Sequence, residues 1–143
     1  VLGAVNRRAL SERDETISLV YNLFPRLAER KDQHAGTMSG GEQQKLALGR
    51  ALIRTPQVLF LDEPCANLDG RSTREIEELL KNATQAGTHI IMTTHDLGQA
   101  RRLAGRVLFF LNGALHEQGN ASEFFIAPST SEARAFLNGD IIE

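Results

Sequence analysis

The sequence has no tryptophan, one tyrosine, one cysteine and four prolines among 143 residues. Cys65 on its own excludes an internal disulfide and fits a reducing compartment. No apolar run approaches the roughly 18–20 residues needed to span a bilayer as a helix. Neither sign of charge is in excess, since 16 Lys and Arg stand against 18 Asp and Glu, for a net charge of −2. That balance excludes a nucleic-acid binder driven by bulk electrostatics, which would be strongly basic. The chain opens on Val1 rather than Met, with no basic-then-apolar segment after it, and is expected to be a trimmed or partial product. What is present is ordinary for a globular domain. Hydrophobic residues make up 41% and charged residues 24%, enough for a packed core.

The first forty residues read as mostly helical. Ser11 before Glu12, Arg13 and Asp14 suits a helix N-cap, and Ile17, Val20, Tyr21, Phe24 and Leu27 follow at helical spacing. Pro25 is expected to kink or divide that helix near Phe24, and Gln33 to Met38 reads as loop. Helix and strand then alternate. Glu42–Arg54 is helical by pattern, with Leu46, Leu48, Ala51, Leu52 and Ile53 forming its apolar surface. Val58–Leu61, closed by Asp62, reads as a strand buried on both faces. Ser72–Asn82 is a helix turning Ile76, Leu79 and Leu80 inward, with Gly87 beyond its end, and His89–Thr93 is a second buried strand. Leu97–Ala104 is a helix for which Gly105 suits the terminating position. Asn112-Gly113 between Val107–Leu111 and Ala114–Gln118 is a hairpin turn, and short helices follow near Glu123–Phe125 and over Glu132–Leu137, the last stopped by Asn138-Gly139. The alternation implies an α/β domain with a largely parallel sheet.

Three segments carry chemistry. Ser39 and Glu42 have capping-box spacing, and Gly40 and Gly41 between them are poor helix formers. Two glycines in a first turn expose backbone N–H groups beside a hydroxyl and the positive end of a helix dipole, which suits a phosphate as well as it suits a plain cap. Asp62 and Glu63 close a buried strand, where open α/β sheets bind ligands. Asp62 is placed to hold Mg²⁺ directly or through water, and Glu63 to orient and polarise a water. His95 follows the second strand, whereas His89 and His116 read as ordinary strand residues.

Together these segments resemble the ATP-binding-cassette (ABC) family of ATPases. The signature matches as Met38-Ser39-Gly40-Gly41-Glu42, with Met in the usual Leu position and Glu in the common Gln position. Walker B matches as Val58–Asp62 followed by Glu63, Asn67-Leu68-Asp69 is similar to the D-loop, and His95 to the switch histidine. The resemblance implies ATP and Mg²⁺ as cofactors, Glu63 and His95 as catalytic residues and Asp62 as the metal ligand. It implies nucleotide contacts at Ser39, Gly40, Gly41, Glu42 and Asp69 across an interface with a second ATPase subunit. No lysine follows a glycine, so the Gly-Lys-Ser/Thr of a P-loop does not occur. The chain thus resembles the carboxyl-terminal part of a partial P-loop NTPase core, with residues 1–38 a helical subdomain remnant and 39–143 the second half of the core.

Stretches 21–27 and 35–37 resemble branched-chain amino-acid importer subunits, while 95–104, 117–119 and 132–137 are more similar to ATPases of tungstate and related oxyanion importers. The implied role is the ATPase subunit of an importer, peripheral on the cytoplasmic face of the membrane, with permease subunits and a solute-binding protein as partners and no nucleic acid. The alternatives are a relative serving DNA repair or translation, and a non-catalytic interaction module. In the family sheet the P-loop strand lies between the strand ending at His95 and the one resembling Val107–Leu111. Its absence leaves unpaired edges. The expectation is either a rearranged sheet that closes the gap or an intertwined oligomer, with Val107–Leu111 supplying the new pairing.

Overall fold

Helix α1 (Arg7–Leu23) opens the computed structural model, which describes residues 7–140. Ser11 lies inside α1 rather than at its cap, because Arg7, Arg8, Ala9 and Leu10 are good helix formers that extend the helix past it. Pro25 divides the helices as expected. It cannot donate a backbone hydrogen bond, and Phe24 before it takes φ −124°, ψ 71°, outside the helical region. The short α2 (Pro25–Glu29) and a 3-10 turn (Ala35–Thr37) lead to α3 (Gly40–Leu52), β1 (Val58–Asp62), α4 (Gly70–Gln85) and β2 (His89–Thr93).

The chain divides into two compact units between Thr93 and Thr94. In the first, β1 and β2 pair in parallel, Val58 beside His89 through Asp62 beside Thr93. The core is helical: Val20, Phe24, Leu27, Leu48, Leu52, Ile76, Leu79 and Leu80 are buried. The inward face of α4 is as the periodicity has it, Ile76 and Leu79 being fully enclosed. α1 crosses α3 closely enough that a Cβ on Gly49 would come within 3.0 Å of Val20 Cγ1. The strands differ from expectation. Val58, Phe60 and Ile91 lie on an exposed face, with Phe60 72% exposed, because no described helix or strand of this unit covers that side of the pair.

Lys45 on α3 joins α4 by donating to Ser72 Oγ (3.0 Å) and Glu75 Oε2 (2.7 Å), while Arg71 Nε reaches Glu75 Oε1 at 3.0 Å. Partial burial would raise the Glu75 carboxyl, but the hydrogen bonds and charges of Lys45 and Arg71 outweigh it and hold it below its ordinary value. A carboxyl depressed in the folded state contributes stability above its unfolded pKa and loses it as pH falls through the folded pKa. Glu75→Gln should therefore cost about 2 kcal/mol at pH 7, with the difference from wild type shrinking below about pH 4. Urea titrations of both proteins from pH 3 to 7 check this; a difference independent of pH would show that Glu75 acts by packing alone.

The second unit comprises α5 (Leu97–Leu103), β3 (Arg106–Leu111), β4 (Ala114–Asn120), α6 (Ala121–Phe124) and α7 (Ser131–Asn138). β3 and β4 form the antiparallel hairpin, turned by Asn112 (φ 50°) and Gly113 (φ 77°), the paired positive values of a type I′ turn. Its core is Phe109, Phe124 and Ala133, with the Phe136 ring tilted against Phe109 at 5.4 Å between centroids. Glu117 accepts from the amides of Ser129 and Thr130 and from the Thr130 hydroxyl, tying the approach to α7 onto β4. Gly139, left-handed at φ 83°, ends α7. Gly105 does not play that part for α5. Ala104 is already extended (ψ 126°) and the chain runs straight into β3, so no left-handed residue is needed.

Among the described residues the α/β expectation holds, with β1 and β2 the parallel pair and β3 and β4 the expected hairpin. Among the described residues Val107–Leu111 takes β4 as its partner.

Candidate phosphate and metal site

Ser39 begins α3 as a complete capping box. Its hydroxyl accepts from the Glu42 amide (3.4 Å) and donates to Glu42 Oε2 (2.9 Å), which also accepts from the Ser39 amide (2.9 Å). That amide, with the Ser39 hydroxyl, outweighs a small desolvation and holds the Glu42 carboxyl below its ordinary range. Arg30 lies 3.4 Å from the same oxygen. The two glycines differ in purpose. Gly40 is exposed, and a Cβ there would meet nothing within 4 Å, so the first turn is open to an approaching anion. A Cβ on Gly41 would come within 3.0 Å of Leu68 Cδ2, so Gly41 lets the loop after β1 lie against the helix start.

Asp62 ends β1 and is exposed beside Thr93, its partner in the parallel register. The Thr93 hydroxyl donates to Asp62 Oδ1 and accepts from the Glu63 amide at 3.2 Å. Glu63 has φ 45°, in the left-handed region that non-glycine residues seldom take. Its carbonyl is 3.4 Å and that of buried Pro64 2.8 Å from Gln44 Nε2 on α3. The carboxylate loop is thus held between the second strand and the glycine-led helix. Asp69, expected at a nucleotide, caps α4: its Oδ1 accepts from the amides of Arg71 and Ser72, both at 2.9 Å, and its Oδ2 from the Ser72 hydroxyl at 2.8 Å. The Ser72 amide is the main reason its carboxyl lies below the ordinary value.

Ser39, Gly40, Gly41, Glu42, Asp62, Glu63 and Asp69 all belong to the first unit, which joins α3 to the loop after β1 through Gln44 and Leu68. His95 is exposed between β2 and α5, at the start of the second unit. No cluster of three or more His, Cys, Asp or Glu among the described residues could hold a metal by itself. One strand-end carboxylate beside another acid still fits Mg²⁺, which takes one or two carboxylates and completes its shell with waters and substrate phosphates. Thr93 and Gln44 went unremarked as site residues in the sequence. The signals were a hydroxyl directly across from Asp62 in a parallel pair, and an amide four residues after Gly40 on the same helix face.

The family model described as ABC transporter matches residues 6–66. Phosphate import ATP-binding protein PstB 2 of Natronomonas pharaonis is 41% identical over 116 residues, 81% of this chain and 41% of that protein. Arginine transport ATP-binding protein ArtM of Bacillus subtilis is 33% identical over 132 residues, 92% of this chain and 53% of that protein. The chain therefore spans about half the length of the curated relatives it matches. A solved structure of an ATP binding subunit of an ABC transporter superposes with TM-score 0.76 at 22% identity, over 94% of this chain and 57% of that one. That likeness concerns the fold.

Proposed function

Because the chain belongs to the ABC transporter family of ATP-binding proteins, we propose that it supplies the signature and Walker B portion of an importer ATPase. The observation that supports this most is the joining of a serine-capped, glycine-opened helix to a strand-end Asp62-Glu63 pair by Gln44. In this reading residues 1–38 are the remnant of a helical subdomain and 39–143 the later half of the core. Asp62 and water would hold Mg²⁺ against the nucleotide's phosphates, Glu63 would polarise the attacking water, and His95, similar to the switch histidine, would be the second catalytic residue. The first turn of α3, with Ser39, Gly40, Gly41 and Glu42, faces a nucleotide held by the second subunit, with Asp69 at the same interface. Permease subunits and a solute-binding protein select the cargo, an oxyanion or an amino acid, and the protein works at the cytoplasmic face of the membrane as a peripheral subunit. No described helix is long and apolar enough to cross a membrane.

The test turns on phosphate contacts. These 143 residues contain no Gly-Lys-Ser/Thr to cradle the β- and γ-phosphates. The chain by itself should show no ATP turnover above buffer, and joining it to a P-loop-bearing ABC ATPase segment should make turnover appear. Micromolar ATP binding with turnover by the 143-residue chain would overturn the assignment of roles. ATP binding without turnover by the joined chain would favour the non-catalytic module.

A further inference from the structure

Glu63 is the one predicted catalytic residue whose backbone is left-handed; its carbonyl accepts from the Ala66 amide at 3.0 Å, and side chains from two other elements also reach its peptide. Thr93 reaches it from the end of β2. The Glu63 amide is shared between the Thr93 carbonyl and hydroxyl oxygens, both at 3.2 Å, and the hydroxyl's own proton is directed to Asp62 Oδ1; one residue thereby fixes the Glu63 backbone and the Asp62 carboxylate together. Gln44 reaches it from α3. Both near atoms on the loop are carbonyl oxygens, those of Glu63 and Pro64, so the Gln44 amide presents its NH₂ to them. Left-handed backbone at a non-glycine residue persists only where the surroundings over-determine it, and such residues gather at functional sites.

We propose that Thr93 and Gln44 are positioning residues for the carboxylate pair: together they clamp the Glu63 peptide left-handed and so set its side chain relative to Asp62. Neither touches the nucleotide in this scheme, and both act through Glu63. Gln44 also lies on the helix whose first turn carries Ser39 and Gly40, so the clamp mechanically joins the phosphate-facing turn to the hydrolytic pair. The proposal rests on the reading of Glu63 as the group that polarises water. Misplacing such a group by about 1 Å can cost roughly a hundredfold in rate.

Thr93→Val keeps the branched shape and removes the hydroxyl, Thr93→Ser restores the hydroxyl, and Gln44→Ala removes the amide. In the 143-residue chain, backbone NMR of Glu63 should move away from left-handed carbon shifts in Thr93→Val and Gln44→Ala and return in Thr93→Ser. In the chain joined to a P-loop-bearing segment, kcat should fall roughly tenfold to a hundredfold in the first two variants, with KM for ATP unchanged and Thr93→Ser near wild type. Glu63 resonances unmoved in both variants would overturn the clamp, as would unchanged kcat or a KM rising in step with the loss. If the wild-type joined chain hydrolyses nothing, the functional reading fails while the NMR comparison still decides the clamp.

Discussion

Glu63→Gln, made in a chain that also carries a P-loop, is expected to lower ATP turnover by roughly 10²–10⁴-fold and to leave ATP binding intact. The amide keeps the size of the carboxylate and the backbone contacts that Thr93 and Gln44 make, so the loop geometry is retained. In the proposed scheme what is lost is the negative charge and the proton acceptor that polarise a water toward the γ-phosphate. On the same proposal Asp62, one residue earlier, would still hold Mg²⁺, so the nucleotide's affinity should change little. Single-turnover kinetics with an equilibrium binding measurement on the same preparation separate the two effects. Turnover equal to wild type would remove Glu63 from that role; binding lost in parallel would mean that its charge holds the metal instead.

Leu79→Ala is expected to destabilise the first unit by about 2–5 kcal/mol. Leu79 is fully buried on α4 and is among the residues lining a partly open hollow of about 250 Å³, with Leu19, Leu52, Pro56 and Ala83. Truncation would leave a cavity beside that partly open hollow. The hollow is lined by α1, by the ends of α3 and α4 and by the residues just before β1 and β2, so closing it would require several elements to move together. A site that cannot collapse pays the cavity penalty nearly in full. Denaturant melts should show the midpoint falling with an unchanged slope, and Leu79→Met, which conserves volume, should cost under about 1.5 kcal/mol. A loss below about 1 kcal/mol for Leu79→Ala would mean that the helices do close over the gap.

Legibility followed the range of the interactions. The Asn112-Gly113 turn, the Ser39–Glu42 capping box and the break at Pro25 each depend on residues within four positions, and the structure has all three. The inward faces of α4 and of α1 near Val20 and Phe24 follow from helical spacing alone. Ser11 misled because a serine followed by acids suits a cap, while the residues before it continue the helix just as well. Val58–Leu61 misled for a different reason. An apolar run shows that a strand tolerates burial on both faces, not that something lies on both, and Phe60 stays exposed.

The site was legible as a set of residue types and not as an arrangement. Asp62 and Glu63 announced themselves by position at a strand end. Thr93 and Gln44 act across 31 and 20 residues of chain, and nothing local marks them. The left-handed backbone of Glu63 was equally hidden, since glutamate has no preference for it. Asp69 reads in two ways at once, as a nucleotide contact by resemblance and as the cap of α4 by geometry.

The two strand pairings also differ in what a single cut in the chain would do. Leu111 and Ala114 are joined by a two-residue turn, whereas Asp62 and Thr93 are brought together across the whole of α4. Closing the longer connection costs about 2 kcal/mol more in chain entropy, taking the logarithmic dependence on length. A protease that severs the β1–β2 crossover converts the strand carrying Asp62 and the strand carrying Thr93 into separate molecules. Their meeting then depends on concentration, and the Asp62–Thr93 contact becomes a dilution-sensitive assembly in place of an intramolecular one.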